Sequence, residues 1–268
     1  MDKKVLVLDI DGTLTNSKKE ITQATKNAIW EMAAKGHDLV LASGRPTPGM
    51  RAAERELRME EYGGYLLSFN GAKVIECRTG EVIYQRLLSR SLIPSLYRFA
   101  KEHGCGLITY LGDTVISAFE PDEYVALEAR INGIKIQVVE NFVDFVDFDI
   151  NKCLMTAPAN VAPDYERQLR ELYKGEASIY RSEPFFIEIM PLNVDKATSL
   201  ARILEVLGVK REDTICCGDG FNDISMVKYA GVGVAMGNAQ KALKEVADYI
   251  TASNDEDGIV EVIHEFIP

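Results

Sequence analysis

The fold is decided by residues 5–13, VLVLDIDGT, which join a short apolar run to two aspartates and a glycine. The run Val5–Leu8 is typical of a β-strand that is covered on both faces in a parallel sheet. In such a sheet ligands bind beyond the carboxyl ends of the strands, where Asp9 and Asp11 fall, and Gly12 allows the backbone to turn sharply. Two carboxylates at this position indicate a candidate site, although an ordinary turn with aspartate as a turn former fits the same residues.

Strand and helix signals alternate outward from this stretch. Thr22 provides an N-cap and Gly36 an end for a first helix, and apolar runs predict strands at Leu39–Ala42 and Tyr65–Phe69. The first 70 residues thus follow the order β-α-β-α-β. This order is typical of a parallel sheet with helical crossovers.

The same pattern returns near the end of the chain, whereas the middle differs. A helix with Asp195 as its N-cap and a strand at Thr214–Cys217 begin the second set, and the middle mixes strand-like runs with helices. The prediction is one α/β domain, split in the sequence, with a second α+β domain inserted into it. The boundaries are residues 1–83 with 187–268 for the first domain and residues 84–186 for the second.

Charge narrows the classes of function. The chain has 268 residues with 30 Lys+Arg and 41 Asp+Glu, a formal net charge of −11. This balance argues against general nucleic-acid binding, which needs a basic face for phosphate contacts, and against electrostatic attachment to anionic lipid. It does not exclude a small phosphorylated ligand, because a few local cations or a metal ion outweigh the global field.

The start of the chain and its cysteines indicate a location. The start MDKKVLVLDIDGT does not resemble a signal peptide, because its apolar stretch is short and acids interrupt it. No run approaches the roughly 18 apolar residues of a membrane span. The five cysteines form no C-x-x-C pair, which fits reduced thiols in a cytoplasm. We expect a cytoplasmic protein with no membrane or nucleic-acid partner, and a monomer is compatible with a sequence that leaves the oligomeric state open.

Two further segments offer groups for an anion. Residues Ser43–Pro46, SGRP, follow the second strand, and a hydroxyl with backbone N–H groups at a helix start can cradle an anion. A capped helix after a tight turn is the alternative. Lys196 lies in the first turn of the helix after Asp195, where a cation opposes the helix dipole. An anion held there would explain the mismatch, and a surface lysine is the alternative.

The loop Gly218–Asp223, GDGFND, brings two more carboxylates and an asparagine to the end of the strand Thr214–Cys217. Mg²⁺ prefers oxygen ligands and is usually held by one or two carboxylates plus a substrate phosphate. Clustered acids without a cation would repel each other and raise their pKa values. The loop therefore indicates a magnesium site.

Together the four segments resemble the haloacid dehalogenase superfamily of phosphohydrolases, whose motifs occur here in order. They are DIDGT at residues 9–13, the serine of LASGR, the lysine of NVDKA, and GDGFND. Further stretches look like the Cof-type phosphatases with the larger, type IIB α/β cap: SFNGA, EIMPLNVDK and GVGVAMGNA, at residues 68–72, 188–196 and 231–239. The resemblance covers nearly the whole chain. Ser43 replaces the commoner threonine and keeps its hydroxyl.

The resemblance implies a Rossmann-like parallel-sheet core with the catalytic site and an inserted cap that acts as a lid. In the family the first aspartate is the nucleophile, so Asp9 would attack phosphorus and form an aspartyl phosphate. Asp11 would protonate the leaving oxygen and then activate water. The phosphate would be held by Ser43, Gly44, Lys196 and Asn222. The Mg²⁺ ligands would be Asp9, the backbone carbonyl of Asp11, Asp219 and Asp223, the last directly or through water.

The remaining residues of these motifs are interpreted as supporting ones. Asp195 and Arg45 would cap or orient their neighbours, and Asn70 with Gly71 would shape the floor of the pocket. The resulting hypothesis is a Mg²⁺-dependent phosphatase for small phosphorylated metabolites, sugar phosphates above all. A phosphomutase, which holds its bisphosphate instead of losing phosphate to water, is the nearest alternative. A phospholigand sensor without turnover is an alternative from another class.

Overall fold

A computed structural model describes residues 3–267, which fall into two compact units. The first unit holds the chain up to Gln85 and again from Asp195 onward, and the second is Arg86–Val194. The fold is α/β, as predicted. The observed boundaries differ from the sequence-based ones most at the second crossing, where the second unit continues eight residues beyond 186.

The strands position the residues of the candidate site. Between residues 3 and 267 they are β1 (Val5–Leu8), β2 (Asp38–Ala42), β3 (Tyr65–Ser68), β4 (Lys73–Glu76), β5 (Val82–Gln85), β6 (Gly106–Leu111), β7 (Thr114–Ser117), β8 (Lys135–Val138), β9 (Cys153–Thr156), β10 (Ser178–Glu183), β11 (Phe186–Met190), β12 (Thr214–Gly218), β13 (Val232–Ala235) and β14 (Tyr249–Ile250).

The α-helices alternate with these strands. Over the same described residues they are α1 (Gln23–Ala34), α2 (Thr47–Glu56), α3 (Met59–Tyr62), α4 (Ile93–His103), α5 (Glu123–Asn132), α6 (Phe142–Phe145), α7 (Ala162–Leu172), α8 (Lys196–Leu207), α9 (Ile224–Tyr229), α10 (Lys241–Lys244) and α11 (Gly258–Phe266). In the part of the chain that is described, none of these helices combines the length and apolar character that crossing a bilayer requires.

The sheet of the first unit is built around β1. Its order is β14-β13-β12-β1-β2-β3-β4-β5, and the strands from β14 to β3 are parallel. All four residues of β1 are fully buried, as the continuous apolar run predicts. Successive strands lead outward from β1 through β2 on one side, and β12 lies on the other, so the strand order reverses between β1 and β12. Ligands bind at such switch points, and the loops with Asp9 and Asp219 follow these two strands.

An antiparallel edge, β4 with β5, extends this sheet and was not predicted. The chain turns from β3 into β4 through Phe69, Asn70 and Gly71, whose φ angles are 52°, 53° and 105°. The residues of β5 are half-buried or exposed, and the strand mixes apolar with polar residues. Such a short, mixed segment gives little periodic signal.

The second unit has its own sheet, in the order β10-β11-β9-β6-β7-β8. Neighbouring strands are antiparallel except β7 and β8. Leu96 of α4 and Leu169 of α7 share an apolar cluster with Ile187 and Ile189 of β11. The sequence-based boundary at residue 186 is therefore wrong for β11, which belongs to this sheet. All five residues of β11 are buried, and such a run fits either sheet until its pairing is known.

Candidate active site

Lys196 joins two of the predicted carboxylates in the interior of the first unit. Its Nζ donates hydrogen bonds to Asp9 Oδ1 and to Asp223 Oδ1, each at 2.6 Å. The Lys196 side chain is fully buried, and those of the two aspartates are at most 8% exposed. Burial would lower the pKa of Lys196, but the charges of Asp223 and Asp9 outweigh burial and raise it. The anion expected beside this helix start is thus supplied by two carboxylates of the chain itself.

Asp219 and Asp223 are fixed by the loop that carries them and by the loop after β1. Asp223 Oδ2 accepts the backbone N–H groups of Asp219 and Gly220, at 3.0 and 2.9 Å. Thr13 Oγ1 donates to Asp219 Oδ1 at 3.2 Å. Gly12 has a φ of +85°, and a Cβ there would lie 2.5 Å from Asp219 Oδ2. The glycine of DIDGT therefore lets the two acidic loops approach each other, and Thr13 is a contributor that sequence reasoning missed.

The close carboxylates make the charged forms costly. Burial raises the pKa of Asp9, the charge of Lys196 lowers it, and the nearby Asp223 raises it again, with a net value of about 8. Burial, followed by the charge of Asp223, raises the pKa of Asp219 to about 6. One ammonium group does not offset this crowding of negative charge.

Asp9, Asp219 and Asp223 form the group that fits a divalent cation. One carboxylate oxygen from each lies within 4.8 Å of the others. When all three carboxylates are ionised, they leave two negative charges beside the one ammonium of Lys196, which a single divalent ion would balance. All the donor atoms are oxygens, the ligand type that Mg²⁺ prefers. The charge and donor set therefore fit Mg²⁺, while the predicted Asp11 carbonyl ligand stays a prediction.

The carboxylate of Asp11 is held by cations. Arg45 donates two hydrogen bonds to it, from Nε to Oδ2 and from Nη2 to Oδ1, both at 2.7 Å. Lys19 Nζ donates to Oδ1 at 3.0 Å. Burial would raise the pKa of Asp11, but the hydrogen bonds and charges of Arg45 and Lys19 outweigh burial and lower it. This geometry favours the charged form, which accepts a proton. Sequence reasoning missed Lys19, because nothing in the run Asn16–Glu20 distinguishes Lys19 from its neighbour.

The predicted phosphate-binding groups after β2 meet the turn between β3 and β4. The Asn70 backbone N–H donates to the Ser43 carbonyl at 2.9 Å, and Asn222 Nδ2 donates to Asn70 Oδ1 at 3.2 Å. A Cβ at Gly44 would lie 3.1 Å from Asn70 Oδ1. The structure thus brings Ser43, Gly44 and Asn222 together around Asn70. Lys196 lies instead between the carboxylates, and the phosphate-binding role of each group stays a prediction.

The helix α8 places Lys196 through two local features. Asp195 is its N-cap, accepting the Thr198 N–H at 2.9 Å as the sequence predicts. Ser199 Oγ donates to the Gly71 carbonyl at 2.6 Å, so the first turn of α8 lies against the β3–β4 turn. Because Gly71 has no side chain, this close approach is possible.

Replacing Gly71 by alanine should therefore destabilise the protein. A Cβ there would lie 2.6 Å from Ser199 Oγ and 2.7 Å from the Asp195 carbonyl oxygen, at a φ of +105°. We expect a loss of about 2–4 kcal/mol in the free energy of unfolding, measured in urea. Gly80→Ala is the matched control, because its φ is +73° and, among residues 3–267 other than its chain neighbours, no heavy atom lies within 4 Å of the added Cβ. Equal losses in the two variants would contradict the packing argument.

A parallel sheet with this carboxylate–lysine cluster at its switch point, and with a second unit inserted in the sequence, defines an α/β phosphohydrolase. The chain belongs to the haloacid dehalogenase-like hydrolase family, whose sequence model matches residues 6–263. The 5-amino-6-(5-phospho-D-ribitylamino)uracil phosphatase YcsE of Bacillus subtilis is 31% identical over 268 residues, 100% of this chain and 97% of that protein.

Two solved structures show the same fold. A haloacid dehalogenase-like hydrolase from Bacteroides thetaiotaomicron superposes with a TM-score of 0.95 at 42% identity, covering 98% of this chain and 99% of that one. The subclass IIB sugar phosphatase BT4131 gives a TM-score of 0.81 at 28% identity, covering 98% and 99% of the two chains. The resemblance drawn from the motifs is confirmed, and the chain is a phosphatase of this superfamily.

Proposed function

We propose that this phosphatase is a Mg²⁺-dependent enzyme that hydrolyses small phosphorylated metabolites, sugar phosphates above all, through an aspartyl phosphate on Asp9. The observation that carries the proposal is the buried cluster in which Lys196 contacts Asp9 and Asp223 while Asp219 lies beside them. Burying the Asp9 carboxylate in this cluster costs folding free energy. Its use as a nucleophile accounts for that cost.

In the first half of the proposed reaction, a carboxylate oxygen of Asp9 attacks phosphorus and the bond from phosphorus to the leaving oxygen breaks. For this step Asp11 must carry a proton when the substrate binds, although its pKa is lowered, and it gives that proton to the leaving oxygen. Bound by Asp9, Asp219, Asp223 and the Asp11 carbonyl, Mg²⁺ would supply positive charge between two groups that are both negative. Lys196 orients Asp9 for the attack through its 2.6 Å hydrogen bond.

The transferred phosphoryl group would be held by four hydrogen-bond donors. These are the hydroxyl of Ser43, the N–H of Gly44, the ammonium of Lys196 and the amide of Asn222. Asn70, which accepts from Asn222 at 3.2 Å, would hold that amide in place. A donor of this kind is worth about 3–4 kcal/mol of the barrier when it is aimed at developing charge.

The substrate class rests on relatives and on the second unit. BT4131 is named a sugar phosphatase and YcsE a phosphatase of a phosphorylated ribityl compound, so both names describe polyhydroxylated leaving groups. The unit Arg86–Val194 would act as the cap that excludes water and reads the leaving group. The five cysteines are all free and buried, which supports a reducing compartment, the cytoplasm.

Removal of divalent metal should abolish turnover. The test is phosphate release from a panel of phosphorylated metabolites, measured with Mg²⁺ and again with excess chelator. We expect release of inorganic phosphate from sugar phosphates with Mg²⁺, its loss with chelator, and its recovery when Mg²⁺ is restored. An isomeric sugar phosphate without net phosphate release would identify a phosphomutase instead. Binding without turnover of any compound would identify a sensor.

A further inference from the structure

The reaction proposed above assigns no role to Arg45, which contacts Asp11. We propose that Arg45 is a positioning residue for the second half of that reaction: it holds the Asp11 carboxylate where it accepts a proton from the water that attacks the aspartyl phosphate. This inference rests on the proposed function and adds a residue to it.

The contact between Arg45 and Asp11 fixes the plane of the Asp11 carboxylate as well as its distance from the guanidinium group. Arg45 Nε and Nη2 bind the two different oxygens of Asp11, each at 2.7 Å. Two parallel hydrogen bonds of this kind restrict rotation of the carboxylate, which one point charge does not do. Lys19, whose side chain is 65% exposed, adds only a single bond at 3.0 Å. Arg45 is therefore the group that sets the orientation of Asp11.

Arg45 is itself held in place through both its guanidinium group and its backbone. The guanidinium Nη1 donates to the Gly49 carbonyl at 3.1 Å, so the side chain contacts α2. The Arg45 backbone N–H donates to Ser43 Oγ at 3.2 Å, and its carbonyl accepts the Phe69 N–H at 2.9 Å. An exposed ion pair usually contributes little, because two long side chains must be ordered to form it. Here the fold has already ordered the arginine, whose side chain is 20% exposed.

The same contact determines what Asp11 can do. The carboxylates of Asp9, Asp219 and Asp223 lie together in the cluster that fits a cation, whereas the Asp11 carboxylate binds Arg45 and Lys19. Oδ1 of Asp11 accepts hydrogen bonds from both Arg45 and Lys19, whereas Oδ2 accepts one from Arg45 Nε. Oδ2 therefore retains a lone pair that can accept a proton while Arg45 holds the carboxylate in place.

In the second half of the reaction Asp11 acts as the base for the attacking water. A water oxygen forms a bond to phosphorus while the bond from phosphorus to the Asp9 oxygen breaks. The water proton passes to the Asp11 carboxylate, and inorganic phosphate leaves with the Asp9 carboxylate restored. The substrate's leaving group has already departed before this step. A variant can therefore slow this step without slowing the first half of the reaction.

Arg45→Met tests the inference, with 4-nitrophenyl phosphate as the probe. Nitrophenolate leaves without needing a proton, so its release reports the first half of the reaction alone. In rapid mixing we expect an unchanged burst of about one nitrophenolate per enzyme, followed by a steady rate lowered about 10²-fold. The values of kcat and KM should fall by the same factor and leave kcat/KM unchanged, because kcat/KM ends at nitrophenolate release.

Three further variants sharpen the result. Asp11→Asn should give the same burst, because it removes the base that Arg45 holds. Arg45→Lys keeps the charge but makes one hydrogen bond, so it should recover only part of the steady rate. Arg55→Met removes an exposed arginine from α2, the helix that follows Arg45, and should leave both phases unchanged.

The outcomes separate the inference from the function on which it rests. A fall in kcat/KM for Arg45→Met, or a rise in KM with kcat unchanged, would mean that Arg45 binds the substrate phosphate and would overturn the positioning role. Equal slowing of both phases would overturn it as well. If the unsubstituted protein releases no nitrophenolate at all, the proposed function fails instead. Unfolding midpoints in urea show whether each variant is folded during the assay.

Discussion

Replacing Asp9 by asparagine should lower phosphate release by at least about 10⁴-fold while the protein folds as before. The amide oxygen can still accept the hydrogen bond from Lys196, which is 2.6 Å from Asp9 Oδ1. The amide is a poor nucleophile, and the aspartyl phosphate cannot form at this position. The cluster also loses one of its three crowded negative charges. Stability is therefore expected to be unchanged or slightly higher.

Three measurements check this result. Phosphate release gives the loss of activity, and the mass of the protein mixed with substrate shows whether phosphate is covalently attached. Urea unfolding in the presence of chelator gives the stability. Asp113→Asn makes the same chemical change in the exposed turn between β6 and β7 and should retain full activity. Appreciable activity in Asp9→Asn, or a phosphorylated form of it, would contradict the role of Asp9.

The core of the fold was readable from the sequence because burial there leaves a clear pattern. A parallel strand covered on both faces needs a continuous apolar run, and Val5–Leu8 has one. The strand β11 shows the limit of this reasoning, since FIEIM is equally buried but pairs with β9 and β10 in the second unit. A run of buried residues predicts a buried strand, but it does not predict which sheet the strand joins.

The part of the candidate site around Lys196 was predictable, because a lysine at a helix N-terminus is unfavourable unless an anion lies beside it. Lys196 at a helix N-terminus is unfavourable by itself, and the structure places two carboxylates beside it. The hydrogen bonds from Arg45 and Lys19 to Asp11 were not predictable in the same way. These hydrogen bonds form because Lys19 and Arg45, which are eight and 34 residues from Asp11 along the chain, lie close to it in the folded structure. No periodicity or spacing in the sequence records such a meeting.

Replacing Lys196 by methionine should be the most damaging single change to stability in this site. The ammonium is fully buried, and it is the cation that contacts both Asp9 and Asp223. Methionine fills similar space but leaves these two carboxylates beside Asp219 with no positive charge between them. Removing one partner of a buried ion pair costs about 3–5 kcal/mol, because the remaining charge is left uncompensated. Turnover should be lost as well, since Asp9 is no longer oriented.

Restoring the charge balance of the cluster in other ways should recover stability. Urea unfolding with chelator should show the loss for Lys196→Met, and added Mg²⁺ should recover part of it, because a divalent ion compensates the same carboxylates. The double variant Lys196→Met with Asp9→Asn should be more stable than Lys196→Met alone, since one uncompensated charge is gone. Lys241→Met, at a lysine whose side chain is 91% exposed, should change stability by no more than about 0.5 kcal/mol. A similarly small change for Lys196→Met would show that the buried ammonium does not hold this cluster together.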